Sequence, residues 1–256
     1  MTGQPDLRKP LQTRLRNLSL LKPADEVRLE GLLSTIVVYE AGTTMQPEQS
    51  RYEATRILLE GWAFRFRTLD DGSRQIVNFL LPGDTVGLYG ALFPTCVSGV
   101  ELISDVRVAE LPCESLFDVF AASSRLGAAL CWIAGQDERF LEQQIVRIGR
   151  LNAQLRIAHL LLELFHRAVM SGASPLDAAT IPIGQTLIAE ALGLSHVHVN
   201  RSLRALREKE LIEVRPQRIR LLQPDVLKNF SRYDFSAIDP KTIPDRFRQR
   251  LNSRRR

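Results

Sequence analysis

The segment IPIGQTLIAEALGLSHVHVNRSLRALREKELIEV, residues 181–214, has the pattern of two short helices joined by a tight turn. The first predicted helix covers residues 185–192. Gly193 follows it, where the turn requires a positive φ, and Ser195 is a residue type that caps the N-terminus of a helix. The second predicted helix buries apolar side chains at positions i, i+4 and i+7, namely Val199, Leu203 and Leu206.

The other face of the second predicted helix carries residue types that bind DNA. A helix-turn-helix places the N-terminal part of its second helix in the major groove. There, Arg201 can donate two hydrogen bonds to guanine, Asn200 can bond adenine or a phosphate, and Val197 can contact a thymine methyl group. The remaining predicted DNA-binding residues, several of them at phosphates, are Thr186, Ser195, His196, His198 and Arg204. A helical hairpin that serves only for packing is the alternative.

A basic hairpin follows these two helices. Residues 211–222, LIEVRPQRIRLL, predict two short strands around a turn, which is the wing of a winged helix-turn-helix. Arg215, Arg218 and Arg220 would line this wing. We expect Arg218 to contact DNA phosphates, because such contacts position a protein on the duplex without reading its sequence.

The charge of the chain is unevenly distributed. Residues 1–140 carry a net charge of −4 and residues 141–256 a net charge of +9. A basic C-terminal half suggests a polyanionic partner, here double-stranded DNA, whereas a solvated basic surface is the alternative. Residues 228–256 predict a basic, solvated and partly disordered tail, with a DNA-contacting arm as the second interpretation.

Residues 34–122 have a β-rich pattern. Short runs such as RILLEG and WAFRFRTL are separated by glycines at the spacing of roughly 8–12 residues that is typical of an all-β roll or barrel. The phenylalanines of WAFRFRTL alternate with arginines, so one face of that strand should be buried and the other wet. Asp70-Asp71-Gly72 predicts the turn of a hairpin.

Residues 123–156 predict a long central helix. Its apolar positions repeat at alternating spacings of four and three residues, as in a coiled coil. This seam is the predicted dimer interface, and its residues are Ile133, Phe140, Leu141, Ile145, Ile148, Asn152 and Leu155. Asn152 would be the polar residue that sets the register of the seam. Packing of the helix against its own domain is the alternative.

The order of these patterns predicts an α+β fold. It has an N-terminal jelly-roll-like β-roll, a central dimerisation helix and a C-terminal winged helix-turn-helix. The predicted divisions are an N-terminal helical segment, the roll, the central helix, the DNA-binding domain and the tail, at residues 1–33, 34–122, 123–156, 157–227 and 228–256.

Composition and motifs exclude several classes of protein. The chain has 256 residues, of which 45% are hydrophobic and 25% charged, and these are ordinary globular values. We expect a cytoplasmic protein, because the sequence has neither an apolar run long enough for a spanning helix nor a signal-peptide pattern. Its three cysteines have no metal-site spacing, and no catalytic or nucleotide-binding motif is present. We therefore expect no enzymatic activity, no metal and no cofactor.

This order of domains resembles the Crp/Fnr family of bacterial transcription regulators, over about residues 15–225. The resemblance is carried by Gly61 after the run RILLE, by the turn Leu81-Pro82-Gly83-Asp84, by residues 86–93, VGLYGALF, and by the segment from Gly193 to Arg201. It implies a homodimer that binds an inverted repeat and controls transcription through a sensor domain. An activator of this type would also contact RNA polymerase.

The sensor segment departs from the cyclic-nucleotide-binding members. Leu88 stands where those members have a glutamate for the ribose. Around the position of their Arg-Ser pair, which binds the cyclic phosphate, the chain has Cys96-Val97-Ser98, with no arginine between Arg74 and Arg107. We expect no binding of cyclic AMP, because a buried phosphate needs a cation. The effector-pocket candidates remain Gly87, Leu88, Tyr89, Gly90, Cys96, Val97 and Ser98.

The residues that serve other sensor types of the family are also absent from this part of the sequence. No cysteine precedes Cys96, so an N-terminal iron–sulfur cluster is not expected, and all four histidines lie outside the roll, which argues against histidine-ligated haem. Val197 replaces a glutamate that is common in the family's recognition helix, so we expect a different operator. Cys96 is either a redox sensor or a buried filler. A small-molecule or cyclic-nucleotide-responsive module that acts through protein partners is the alternative function.

Overall fold

A computed structural model describes residues 9–16, 21–90, 92–231, 233 and 245–253. These residues form a β-roll, a long helix and a C-terminal helical region with a small sheet, which confirms the predicted α+β fold. Among the described helices, none is long and apolar enough to cross a membrane. Parts of the predicted N-terminal segment (1–8 and 17–20) and of the predicted tail (232, 234–244 and 254–256) lie outside the described residues.

The roll consists of two four-stranded antiparallel sheets. Its strands are β1 (Ile36–Tyr39), β2 (Thr44–Gln46), β3 (Ala54–Glu60), β4 (Ala63–Thr68), β5 (Arg74–Leu80), β6 (Thr85–Val86), β7 (Gly99–Leu102) and β8 (Val106–Pro112). The first sheet has the order β1-β8-β3-β6 and the second the order β2-β7-β4-β5. Apolar side chains such as Leu58, Val86 and Val108 cluster as a core of the roll. The predicted hairpin turn is present between β4 and β5, with Gly72 at φ +80°.

Helices surround the roll and form the C-terminal region. They are α1 (Lys9–Arg16), α2 (Pro23–Leu32), α3 (Ser115–Ala122), α4 (Ser124–Arg150), α5 (Ala153–Met170), α6 (Pro175–Ala178), α7 (Gln185–Leu192), α8 (His196–Glu208), α9 (Pro224–Ser231) and α10 (Asp245–Ser253). A third small sheet contains β9 (Thr180–Ile181), β10 (Ile212–Arg215) and β11 (Arg218–Leu221). Helix α9 continues beyond the predicted domain end at Leu227, and α10 is helical inside the predicted tail.

The central helix is shorter than predicted. Helix α4 ends at Arg150, and Leu151 is extended at ψ 148°. Asn152 is the N-cap of α5, where its side chain accepts a hydrogen bond from the Leu155 backbone N–H at 3.1 Å. The prediction that Asn152 and Leu155 continue the seam of one helix is therefore wrong, because the asparagine side chain starts a new helix instead.

Two further predicted interface residues face the chain's own core. Ile133 is 1% exposed and packs with residues of the first sheet, and Phe140 is 3% exposed beneath the Arg167 guanidinium at 4.1 Å. The structure thus contradicts their placement on an intermolecular face. The outer side of α4 exposes Leu141 and Ile145, at 38% and 66%, and leaves Ile148 half-buried.

A buried ion network joins α4, α5 and the roll. Glu163 pairs with Arg147 and, at 3.2 Å, with Arg167, which in turn pairs with Asp84 at 2.6 Å. All four side chains are buried. Burial raises the pKa of Glu163, but the charges of Arg147 and Arg167 outweigh burial and hold that pKa below its usual range. The network holds α5, and with it the C-terminal region, in a fixed position against the roll.

His159 makes stability depend on pH. Burial, followed by the charge of Arg147, lowers the pKa of His159 from 6.5 to about 4, and Arg147 Nε donates to His159 Nδ1 at 3.2 Å. Between pH 6.5 and about pH 4, His159 binds a proton in the unfolded chain but not in the native state. The contribution of His159 to the free energy of unfolding is therefore complete above about pH 6.5 and is lost as the pH falls towards 4. We expect His159 to account for a loss of about 2 kcal/mol between about pH 7 and about pH 5.

Urea unfolding at the two pH values measures this contribution. The His159→Gln variant keeps an acceptor for Arg147 and removes the titration, so its stability should change less with pH. Burial also lowers the pKa of His166 to about 4. Because His166 is present in both proteins, it contributes the same pH dependence of stability to each. Equal pH dependence of the two proteins would contradict the assignment.

Candidate nucleic-acid interface

Helices α7 and α8 form the predicted helix-turn-helix. Gly193 ends α7 in the left-handed conformation, at φ +60° and ψ +40°, where a side chain other than glycine would be strained. The next backbone N–H, of Leu194, donates to the Ala189 carbonyl at 3.1 Å. Ala189 is buried where the two helices pack together. The turn is therefore fixed by the residues from which it was predicted.

Ser195 begins the second helix. Its Oγ accepts a hydrogen bond from the His198 backbone N–H at 3.4 Å and lies 3.1 Å from His198 Nδ1. This confirms Ser195 as the N-cap of α8. The cap also holds the His198 ring beside the helix terminus, so both residues occupy the first turn, which a helix-turn-helix presents to DNA.

The two faces of α8 differ in burial. Val199, Leu203 and Leu206 are at most 2% exposed, whereas Val197 is 74% exposed. The exposed predicted DNA-binding residues of α8 and the preceding helix and cap are Thr186, Ser195, His196, Val197, His198, Asn200, Arg201 and Arg204. The fold thus brings together, on one side of the helix-turn-helix, the residues that the sequence selected.

The two arginines of this face differ in their surroundings. Arg204 Nε pairs with Glu208 at 2.7 Å. Within the described residues, Arg201 makes no hydrogen bond and no ion pair, and its side chain is exposed. A free guanidinium fork in the second turn of a recognition helix is the group that reads guanine bidentately.

The wing is present as predicted. Strands β10 and β11 pair antiparallel, with Arg215 opposite Arg218, and Gln217 forms the turn at φ +56°. Arg218 and Arg220 are exposed, whereas Arg215 pairs with Glu213 at 2.8 Å. Strand β9 pairs with β11 as a third strand. Sequence reasoning missed β9, because two residues are too few to show a β pattern.

The C-terminal region also contacts the roll directly. Arg74 of β5 pairs with Glu190 of α7 at 3.2 Å and with Glu101 at 2.6 Å, and its guanidinium lies over the Phe64 and Phe66 rings at 5.4 and 5.3 Å. The apolar face predicted for β4 is thus buried, and part of it lies under this contact. The ion pair between Arg74 and Glu190 orients α7 relative to the roll.

The effector-pocket candidates do not surround one cavity. Leu88 is buried against the outer, helix-covered side of the first sheet. Cys96 lies between β6 and β7 and is buried against the turn that follows β2, where its thiol donates to the Pro47 carbonyl at 2.8 Å. Tyr89 and Val97 are 42% and 57% exposed. The three remaining candidates, Gly87, Gly90 and Ser98, are half-buried.

Comparison with known proteins agrees with this architecture. A cyclic nucleotide-binding domain model matches residues 36–123, and a Crp-like helix-turn-helix domain model matches residues 155–230. A nitrogen fixation regulation protein, FixK, of Rhizobium meliloti is 30% identical over 165 residues, which cover 64% of this chain and 72% of that protein. The chain belongs to the Crp/Fnr family.

Other Crp/Fnr relatives match more of the chain. FixK of Azorhizobium caulinodans is 25% identical over 209 residues, or 81% of this chain and 83% of that protein. The solved structure of FixK2 from Bradyrhizobium japonicum superposes with a TM-score of 0.66 at 26% identity, covering 76% of this chain and 96% of that chain. With its helix-turn-helix, this Crp/Fnr protein is a DNA-binding transcription regulator.

Two arginines of this Crp/Fnr sensor domain already have carboxylate partners. A bound cyclic phosphate requires a cation, yet the buried Arg56 pairs with Glu110 at 2.5 Å, and Arg65 pairs with Asp137 at 3.6 Å. Leu88, at the position of the ribose-binding glutamate, lies among apolar side chains. A nucleotide phosphate that used either arginine would have to displace its carboxylate partner.

Proposed function

We propose that the chain is a homodimer that recognises an inverted repeat in double-stranded DNA through α8, and that its sensor domain responds to a ligand other than cyclic AMP. The observation that carries this proposal is the exposed Val197, Asn200 and Arg201 face on the N-terminal half of α8. The proposed role is regulatory and cytoplasmic, without catalysis, and an activator would use RNA polymerase as a further partner.

The proposed contacts divide into two classes. Val197, Asn200 and Arg201 face base edges, because they lie in the first two turns of the recognition helix. The residues proposed for phosphates or for positioning are Thr186, Ser195, His196, His198, Arg204 and Arg218.

The proposed dimer interface is the outer stripe of α4, formed by Leu141, Ile145 and Ile148. These residues are separated by four and three positions, which is the spacing of a coiled-coil seam. Val146, 51% exposed, widens the apolar surface. A second copy of the same stripe would cover it. The proposed domain division keeps the roll at residues 34–122 and extends the DNA-binding domain to Ser231, where α9 ends.

Arg201→Ala is expected to reduce affinity for the preferred duplex by about 1–3 kcal/mol and to relax the preference at one base pair of each half-site. The physical reason is the loss of the bidentate pair to guanine. Binding-site selection with the variant measures the preference, and Arg207→Ala, an exposed arginine in the last turn of α8, is the matched control. An unchanged sequence preference in Arg201→Ala would show that Arg201 does not read a base.

Arg218→Ala is expected to weaken binding to all duplexes by a similar factor. A phosphate contact carries no sequence information, and its loss removes about one released counterion from the salt dependence. Titration of two unrelated duplexes over a range of salt concentrations measures both effects. A loss confined to one duplex would contradict a phosphate role for Arg218.

A further inference from the structure

An apolar cavity lies between the first sheet and the helices that cover it. Its volume is about 50 Å³, and it is lined by residues from α1, α2, α3, α4 and three strands of that sheet. Leu11, Ile57, Leu88, Val119 and Ile133 are among its walls. A water molecule needs roughly 10–15 Å³ of such volume, so the cavity has room for a molecule of a few heavy atoms.

One buried polar group in this wall lacks a hydrogen bond to the described residues. The side chain of Thr85 is buried, and its Oγ1 makes no hydrogen bond to the described residues. The hydroxyl of Thr55, which also lines the cavity, already donates to the Gly87 carbonyl at 2.9 Å. A buried hydroxyl without a partner is destabilising, so a ligand that bonds Thr85 relieves a cost present in the empty protein.

The wall contains no charge in the part of the chain that the structure describes. An ionised ligand would therefore be buried without a counter-charge, which is strongly unfavourable. A purely apolar ligand would leave the Thr85 hydroxyl unbonded.

We propose that this cavity is a binding site for a small neutral molecule with an apolar body and one hydrogen-bonding group, which pairs with Thr85 Oγ1. The site lies on the outer side of the first sheet, away from the apolar core of the roll. Because Ala129 and Ile133 of α4 form part of its wall, an occupant contacts the helix whose outer side carries the proposed dimer stripe. Any effect on DNA rests on the proposed function, whereas binding in the cavity does not.

Methyl NMR of the full-length protein, without DNA, tests the site with two probes, 1-propanol and xenon. Both should shift the methyl signals of Leu11, Leu88 and Ile133 with saturation. Thr85→Val keeps the side-chain shape and removes the hydroxyl, so we expect 1-propanol to bind it roughly two- to tenfold more weakly, while xenon affinity is unchanged or higher. Ala129→Leu fills the cavity and should abolish binding of both probes.

Two outcomes would overturn the proposal. One is the absence of saturable shifts in the wild-type protein. The other is equal 1-propanol affinity in wild type and Thr85→Val, which decides the question even where Ala129→Leu does not fold. Duplex affinity, measured separately on the same proteins, keeps failure of the cavity distinct from failure of the DNA-binding function.

Discussion

Replacement of Glu163 by alanine is expected to lower the free energy of unfolding by about 3–5 kcal/mol. The carboxylate is the shared partner of Arg147 and Arg167, and all three side chains are buried. Without it, the partners that remain to Arg147 among the described residues are neutral, namely His159 and Gln144. The penalty arises from uncompensated buried charge, and urea unfolding near neutral pH measures it.

The matched control for Glu163→Ala is Glu208→Ala. Glu208 also pairs with an arginine, Arg204, but both side chains are more than half exposed. Exposed pairs of this kind contribute little to the free energy of unfolding, because water screens the two charges. A loss of stability in Glu163→Ala that is no larger than in Glu208→Ala would show that the network does not hold α5 against the roll.

Glu163 also gives the network a pH dependence of known sign. Because its pKa is lower in the folded protein than in the unfolded chain, its stabilisation is complete above the ordinary glutamate pKa. That stabilisation is lost as the pH falls through the lowered value.

The combined substitution Ile145→Asp and Ile148→Asp is expected to produce monomers. Two carboxylates per chain would be buried at the proposed seam without partners. A monomer engages one half-site at a time, so affinity for the full inverted repeat should fall by roughly 10²–10⁴-fold. Sedimentation velocity and duplex titration measure the two effects.

Gln143→Asp is the control for this dimer prediction. It adds a carboxylate to α4 at a position outside the stripe, and we expect it to remain dimeric and to bind DNA. If the double variant of Ile145 and Ile148 still sediments as a dimer, the dimer interface lies elsewhere on the protein.

The helix-turn-helix was predictable because its signals are local. Gly193 supplies the turn, Ser195 the cap, and Val199 and Leu203 the apolar face, and each acts within a few residues of chain. The β-roll was predictable for the same reason, since alternation and glycine turns need no distant partner. Residue-by-residue exposure on α8 follows directly from helical periodicity.

The central helix shows where local reasoning fails. Helix α4 has two neighbouring apolar faces, one towards its own core through Ile133 and Phe140, and one outward through Leu141 and Ile145. Judged by spacing alone, the residues of both faces fit one continuous seam. Asn152 fits the seam spacing and also the N-cap of α5, and only the fold shows that capping prevails.

Long-range contacts had no signal in the sequence. Asp84 and Arg167 are 83 residues apart in the chain and meet only after the roll and α5 have packed. The Thr85 hydroxyl, which has no partner in the described part of the chain, and its cavity likewise depend on elements brought together by the fold.

Sequence-specific DNA recognition by α8 is tested most directly by selecting binding sites from random duplex DNA, with the purified full-length protein and no added ligand. We expect one enriched inverted repeat whose half-site centres are about one helical turn apart, or a multiple of it. A parallel selection in the presence of cell extract supplies any effector that the sensor domain requires. A stable dimer that enriches no sequence under either condition would contradict sequence-specific DNA recognition by α8.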